Sequence, residues 1–468
     1  MKYIFFCLLL VCSVANAQNS FSGVWKGKIE AFNLTVVLNI SEKDGKLSAT
    51  MDSPDQGVKG IACDQVSVSG NTITVSISVA GANYIGTLSE DKKTLTGKFN
   101  QGGGSFDLVL GKDGIPAAKP KPQTPQPPFS YHSEDIEYDN AGKTVHLAAT
   151  LTYPKTGGKF PVAVLISGSG QQDRDETLMG HKPFAVIADR LTKLGFAVLR
   201  VDDRGTGKST GEVLKASSAD FANDVITSIN YLKGRKEIDA KRIGLIGHSE
   251  GGLIASIVAA ETNDINFMIL LAGPGIKGAD LLAEQGEQLI LQSGVSKEAV
   301  QNYLPLYKKF IQFSAEGLDS ATYVIKAREA FNTWKAASDP ELVKQVGFTD
   351  IASTEAIFEN LIPGFTAPWM QFFLASDASL PLEKTSAKVL ALNGEKDVQV
   401  LANSNTEGIK KALKKSKSPS YEVKILPGLN HLFQKCTLCT VAEYGMLEET
   451  FSEAALAEMA SWLQKNVL

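Results

Sequence analysis

The chain has little of what would tie it to nucleic acid, to a lipid surface or to metal. Its 47 Lys and Arg stand against 51 Asp and Glu, a formal net charge of −4, and no polybasic cluster occurs. A nearly neutral, slightly acidic chain lacks the electrostatic footprint of a nucleic-acid binder and the basic patch that favours anionic lipid. Beyond the opening residues there is no second long apolar run, which excludes a further helical membrane span. Cysteine is scarce as well. Of the five, Cys7 and Cys12 fall in the opening segment, leaving Cys63, Cys436 and Cys439. Structural zinc wants four ligands, and Cys436-x-x-Cys439 has no second ligand pair. The pair is expected as a local disulfide or as two loop thiols, and neither metal nor organic cofactor is expected. Histidine is also rare, at five, which shortens any search for a catalytic base.

The opening segment has the pattern of an export signal. Lys2 is followed by an apolar run from Ile4 to Val14, and Val14-Ala15-Asn16-Ala17 is a small-residue cleavage site before Gln18. Such a run is too short to span a bilayer and is followed by polar chain. Residues 1–17 are therefore expected to be removed and the mature chain to be secreted or periplasmic. Lipid anchoring through Cys12 is the weaker reading, because Val11 stands where a small residue is wanted.

At 468 residues the chain exceeds what one hydrophobic core supports, and its composition changes along its length. Residues 18–111 read as an all-β barrel or sandwich. Leu34, Val36, Leu38 and Ile40 alternate with Thr35, Val37 and Asn39, and Ile73, Val75, Ile77 and Val79 repeat the pattern. Period-two alternation marks strands with one buried face. Lys43-Asp44-Gly45, Ser69-Gly70-Asn71 and Glu90-Asp91-Lys92 supply turns between them. Trp25, Tyr84 and Phe99 are expected in its core rather than under a ligand. Residues 112–128 hold six prolines among Lys and Gln, a composition that favours an extended linker over a core.

From residue 129 to 468, short apolar runs alternate with helical patterns. Val162–Ser167, Ala197–Val201, Ile243–Ile246, Phe267–Leu271 and Val389–Leu392 suit parallel strands covered on both faces. Phe184, Ile187, Ala188 and Leu191 share one helical face, as do Phe221, Val225, Ile229 and Leu232. The alternation predicts an α/β sheet with helices on both faces. Residues 277–383 interrupt it with helical sequence, expected to lie over the strand ends as a cap.

The chemistry centres on Gly247-His248-Ser249-Glu250-Gly251-Gly252, which joins a strand to a small-residue helix. A strand, G-x-S-x-G turn and helix form a nucleophile elbow, whose glycines remove collisions in a very tight turn. Ser249 is the candidate nucleophile at a helix N-terminus, where developing negative charge is favoured. A serine hydroxyl needs a base, and the base an orienting acid. His132 and His146 fall in expected edge strands, His181 starts a helix and His248 is the variable position of the elbow. His431 remains, in the loop after the strand Tyr421–Leu426. For the acid, the loop Asn393-Gly394-Glu395-Lys396-Asp397 follows the strand Val389–Leu392 and offers two carboxylates. The oxyanion hole is expected from the N–H of Glu250 and from the loop Gly168-Ser169-Gly170-Gln171, with Gln171 as the chosen donor. Asp202-Asp203-Arg204-Gly205-x-Gly207-x-Ser209 is expected as a structural loop; its glycines lack dinucleotide-binding spacing.

These residues resemble the α/β-hydrolase superfamily, and more closely the secreted bacterial EstD-type carboxylesterases grouped with serine aminopeptidase-like hydrolases. The resemblance rests on Gly168-Ser169-Gly170 with Asp173-Arg174-Asp175-Glu176, Asp203-Arg204-Gly205, the elbow, Asn393 to Asp397 with Gln399-Val400, and Asn430-His431-Leu432-Phe433. It implies an α/β-hydrolase fold, Asp397 rather than Glu395 as the acid, and hydrolysis of small-molecule esters with short acyl chains through an acyl-enzyme. A peptidase of the same fold is the nearest rival, although an aminopeptidase also needs carboxylates to hold the substrate ammonium. Acyl transfer to sugars and a non-catalytic glycan- or partner-binding role are more distant.

Overall fold

A computed structural model describes residues 20–29, 34–101, 104–115 and 120–468. The expected signal, residues 1–17, and part of the linker lie outside the described residues. The chain divides into two compact bodies, the first essentially the residues up to Pro120 and the second most of the remainder.

In the first body the described residues form one nine-stranded antiparallel sheet. Its strands are β1 (Gly23–Ile29), β2 (Leu34–Lys43), β3 (Lys46–Ser53), β4 (Val58–Ala62), β5 (Gln65–Ser69), β6 (Thr72–Ile77), β7 (Ala82–Leu88), β8 (Thr94–Gln101) and β9 (Gly104–Gly111). They run in the order β4-β3-β2-β1-β9-β8-β7-β6-β5, so the first and last strands pair at the centre of an up-and-down meander. The sheet curls into a half-barrel around Trp25, Leu38, Ile73, Val75, Tyr84, Leu95 and Leu108, all fully buried. The Trp25 indole donates to the Phe21 carbonyl at 2.6 Å and the Tyr84 hydroxyl to that of Leu95 at 3.0 Å, which satisfies the polar tips of two core rings. The alternation expected through Val79 stops at Ile77. A 3-10 turn over Ser78–Ala80, closed by Gly81 at φ 56°, leaves Val79 80% exposed.

The second body is built on an eight-stranded sheet of β10 (Tyr131–Asp139), β11 (His146–Pro154), β12 (Phe160–Ile166), β13 (Ala197–Val201), β14 (Ile238–His248), β15 (Ile265–Leu271), β16 (Lys388–Gly394) and β17 (Tyr421–Leu426). The order is β10-β11-β13-β12-β14-β15-β16-β17, with the β10/β11 and β11/β13 pairs antiparallel and the others parallel. This is the α/β-hydrolase fold. His132 lies in the edge strand β10, whereas His146 opens β11, one strand further in. The second half of the proline-rich segment is anchored to this body: Gln123 accepts from the Thr450 and Phe451 N–H groups and donates to the Phe451 carbonyl.

Strand β12 pairs with β13 on one side and β14 on the other, so the winding direction changes there. In open α/β sheets the crevice for ligands opens beyond the carboxyl ends of the strands at such a switch point. The loops after β12 and β14 are the two that meet at it.

Both sheet faces are covered. Helices α1 (Pro183–Leu194) and α12 (Glu453–Asn466) bury Phe184, Ile187, Leu191, Met459 and Trp462 on one face. Helices α2 (Ser218–Lys233), α3 (Glu250–Glu261) and α11 (Ala402–Leu413) cover the other. Apart from Glu250, Ser256 and Glu261, helix α3 is made of apolar and glycine residues, as suits a helix that is largely buried. Its Leu253 packs into the core of the insertion, while Ala255 and Val258 pack on the sheet.

Between β15 and β16 the described chain is helical: α4 (Gly278–Gln292), α5 (Lys297–Ala315), α6 (Ser320–Ala337), α7 (Pro340–Gln345), α8 (Ile351–Phe365), α9 (Pro368–Ala375) and α10 (Ser379–Lys384). Tyr303, Phe310, Tyr323, Phe331 and Phe358 give this insertion an aromatic core of its own. Among the described residues no helix is long and apolar enough to cross a membrane.

Candidate active site

Three loops at the carboxyl edge of the sheet carry the candidate residues. At the end of β14 the chain turns directly into α3, and Ser249 takes φ 55° and ψ −123°. A side chain in this region costs roughly 1–3 kcal/mol, so the surroundings must enforce it. The glycines explain how. A Cβ at Gly247 would lie 2.1 Å from the Gly251 carbonyl oxygen, and one at Gly251 would lie 2.2 Å from that of Ile166. Only hydrogen at both positions lets strand, turn and helix approach this closely.

The acid loop follows β16. Gly394 permits its approach to the histidine loop, since a Cβ there would stand 2.4 Å from the Leu429 carbonyl oxygen. Asp397 is buried. Its Oδ1 accepts the N–H groups of Gln399 and Val400 at 2.8 and 2.9 Å, and its Oδ2 accepts the Asn393 amide at 3.2 Å. The same Oδ2 lies 2.8 Å from His431 Nδ1. Glu395 turns elsewhere, accepting the Gly428 N–H at 3.0 Å with its side chain half exposed. Of the two carboxylates open to the sequence reading, Asp397 is the one at the imidazole.

His431 follows β17 and is buried beside the elbow. Its ring lies 4.8 Å from that of His248, Ser249's neighbour. No hydrogen bond joins the Ser249 hydroxyl to the His431 ring among the described residues. Catalytic contacts are often long or misaligned without substrate and tighten when it binds.

The cleft at Ser249, with its open mouth included, spans about 470 Å³. Pro274, Leu281, Leu282, Met370, Phe373 and Val400 make most of its wall, with Ser169, Gln285 and Gln399 as polar points. Helices α4 and α9 of the insertion thus form one side of it. Gln171 does not line this cleft; Ser169 does, together with Ser249 and Glu250. The reason is local. Gly170 at φ 93° turns the chain, the Gln171 amide donates to the Gly205 carbonyl at 3.3 Å, and the Gln172 N–H goes to Asp203 at 3.0 Å. The sequence choice, Gln171, thus has its side chain turned to Gly205, while Ser169 of the same loop lines the cleft.

Two features were not legible in the sequence. The Glu250 carboxyl is buried in the wall, and its Oε1 accepts from Ser218 Oγ at 2.6 Å and from the Trp369 indole at 2.7 Å. Burial pushes this carboxyl up from its ordinary value, against those two hydrogen bonds. Beneath the site, Glu176 faces His248 at 2.9 Å.

The Asp202-to-Ser209 loop braces the loop after β12. Arg174 donates through Nε and one terminal nitrogen to the two oxygens of Asp202, at 3.0 and 2.8 Å, while Asp203 accepts the Ser167 hydroxyl at 2.8 Å. Burial, with the charges of Glu176 and Glu250, pushes Asp203 up to about 7 against its hydrogen bonds from Ser167 and Gln172. An unfolded aspartate titrates near 4, so across the interval the folded chain holds a proton that the unfolded chain has lost. Stability contributed through this group therefore falls as pH rises from about 4 to about 7. Asp203→Asn is expected to flatten that part of the pH–stability curve. Urea unfolding of both proteins at about pH 5 and about pH 7.5 checks it, and an identical pH dependence would count against the assignment.

Cys436 and Cys439 form a disulfide five residues beyond His431, which uses both thiols of the motif. Cys63, in the first body, is a free thiol that burial pushes up to about 11, too high for a reactive thiolate at neutral pH.

A strained serine at an elbow, with a carboxylate–imidazole pair on the two loops beyond, is an arrangement that belongs to the α/β-hydrolase fold. The family description "Serine aminopeptidase, S33" matches residues 181–435, more than half of the chain, and the chain belongs to that family. It is similar to Esterase EstD of Thermotoga maritima, 29% identical over 158 residues, 34% of this chain and 36% of that one. It is also similar to the putative hydrolase YtaP of Bacillus subtilis, 29% identical over 187 residues, 36% and 57% of the two chains. The match thus spans about a third of EstD's length and somewhat over half of YtaP's. Among solved structures, the Pyrococcus furiosus esterase Pf2001 aligns at 17% identity with a TM-score of 0.42, covering 72% of this chain and 91% of that one.

Proposed function

We propose that this chain is an exported serine esterase that cleaves small esters with short apolar acyl groups. The observation that carries the reading is the wall of the Ser249 cleft. It mixes apolar side chains with the polar Ser169, Gln285 and Gln399, and its one carboxyl, Glu250, is already engaged by Ser218 and Trp369 and raised by burial. An aminopeptidase must hold the substrate's α-ammonium against an available carboxylate, preferably an ionised one. Glu250 is poorly suited to that task, whereas an acyl chain fits the apolar side chains. The stacked Trp369 and Phe373 rings in that wall favour a short group. The family's description keeps the peptidase as the rival.

In this reading Ser249 attacks the ester carbonyl while His431 Nε2 takes the hydroxyl proton, a contact made as substrate settles. Asp397 holds the Nδ1–H and the imidazolium that forms. The Glu250 N–H at the start of α3 and a backbone N–H at Ser169 receive the oxyanion. His431 returns the proton to the departing alcohol, leaving an acyl-serine. Water then attacks that acyl group, losing its proton to His431, and the carboxylic acid is released with Ser249 restored. Export is supported by the opening segment and by the Cys436–Cys439 disulfide, which suits an oxidising compartment.

The test is a panel of chromogenic acyl esters set against aminoacyl anilides. Short-chain esters are expected to exceed the anilides in kcat/KM by about a hundredfold or more, a difference of about 3 kcal/mol in transition-state binding. Faster turnover of the anilides would reverse the assignment in favour of the peptidase.

A further inference from the structure

We propose that Glu176 and His248 are positioning residues, a second buried acid–imidazole pair that holds the oxyanion loop and the base loop in register. The proposal rests on the serine-hydrolase reading above and adds two residues to its machinery. Glu176 lies in the loop between β12 and α1 with φ 51°, and His248 is the last residue of β14; they are 1% and 5% exposed. One oxygen of Glu176 accepts the Gly168 N–H at 2.8 Å and stands 2.9 Å from His248 Nδ1. The other ring nitrogen of His248 is 3.0 Å from the carbonyl oxygen of His431. One short chain of contacts therefore runs from the start of the oxyanion loop, through the residue before the nucleophile, to the backbone of the base.

The protonation follows from the partners. A carbonyl oxygen only accepts, so His248 Nε2 carries a proton and donates it. Nδ1 then faces Glu176 either as N–H opposite a carboxylate or as a lone pair opposite a carboxylic acid. Either way one proton lies between the two groups and the pair is neutral overall, which lets it sit against Phe184, Ile187, Leu271 and Phe451. Burial pushes the His248 imidazolium down, but the charge and hydrogen bond of Glu176, the His431 carbonyl and Asp397 outweigh it and leave the ring raised. The elbow and the Gly168 backbone are already in contact: a Cβ on Gly168 would come 3.2 Å from Ser249 Cβ. A shift of Gly168 or of the His431 backbone thus moves an oxyanion donor or the base against a fixed hydroxyl.

A buried staple would affect melting alone; a positioning pair affects kcat while leaving substrate binding intact. In the full-length protein, Glu176→Gln keeps the acceptor for Gly168 but cannot share the proton with His248. It is expected to lower kcat on a chromogenic acyl ester by about tenfold to a hundredfold, the scale of a sub-ångström to ångström misplacement. KM should stay within about twofold and the melting temperature close to the parent's. His248→Gln places an amide nitrogen where Nε2 was, keeps the bond to the His431 carbonyl, and should show the same split. A parental kcat in either variant at parental melting temperature overturns the proposal. Loss of folding in both also overturns it, since the pair would then serve the core. Ser249→Ala is run beside them with a fluorophosphonate label. If that variant still labels, the serine-hydrolase reading itself fails; if it is silent while Glu176→Gln keeps full kcat, only this inference does.

Discussion

Ser249→Ala is expected to lose about four to six orders of magnitude in kcat on any ester the parent turns over, with KM little changed. The hydroxyl is the atom proposed to form the acyl-enzyme, and of the two serines that line the cleft it is the one at the strained elbow. Residual hydrolysis would come from the Glu250 N–H and from binding alone, which still exceed water by about 10³–10⁴ in such sites. The fold should survive, because Ala and Ser carry the same Cβ penalty at φ 55°. Steady-state kinetics and fluorophosphonate labelling of both proteins decide it. A variant that retains even a tenth of the parental rate would place the nucleophile elsewhere.

Asp397→Asn should be nearly as damaging, costing roughly 10³–10⁴ in kcat. Among the described residues Oδ2 of Asp397 is the acceptor at His431 Nδ1, and an amide nitrogen turned toward the ring would stabilise the wrong tautomer. With Nδ1 bare and Nε2 protonated, the imidazole cannot take the Ser249 proton. The Gln399 and Val400 N–H groups still hold the remaining oxygen, although the Asn393 amide loses its acceptor, so the loss should appear mainly in kcat. Glu395→Gln is the matched control. Its carboxylate serves Gly428, and its substitution should change kcat by no more than about threefold. The opposite ranking would move the acid role to Glu395.

How much of this could be read beforehand follows from range. The elbow is a local object, six consecutive residues whose glycines are dictated by a turn, and it was legible with its strand and helix. So were the covered parallel strands, because a strand buried on both faces has to be written as an unbroken apolar run. His431 emerged by elimination among five histidines. Its partner needed the family resemblance, since Glu395 and Asp397 are two residues apart on one loop and only the fold decides which one turns inward. The oxyanion loop was legible as the segment after β12, but the path of its side chains was not, because the Gly170 turn is braced by Asp203, more than thirty residues away. Glu176 with His248, and Glu250 with Ser218 and Trp369, join residues 32 to 119 positions apart in sequence. No periodicity or motif spacing carries such contacts.

The bond from the Trp369 indole to Glu250 has an engineering consequence. Helix α9 belongs to the insertion, whereas Glu250 supplies the proposed oxyanion N–H, so lid and catalytic floor share a hydrogen bond at the reacting centre. The insertion is therefore not an interchangeable module. A chimera that receives its lid from a relative without an indole at this place would leave the buried Glu250 carboxyl with Ser218 as its remaining donor. Transplanting substrate preference between such enzymes requires position 250 and its indole donor to travel together.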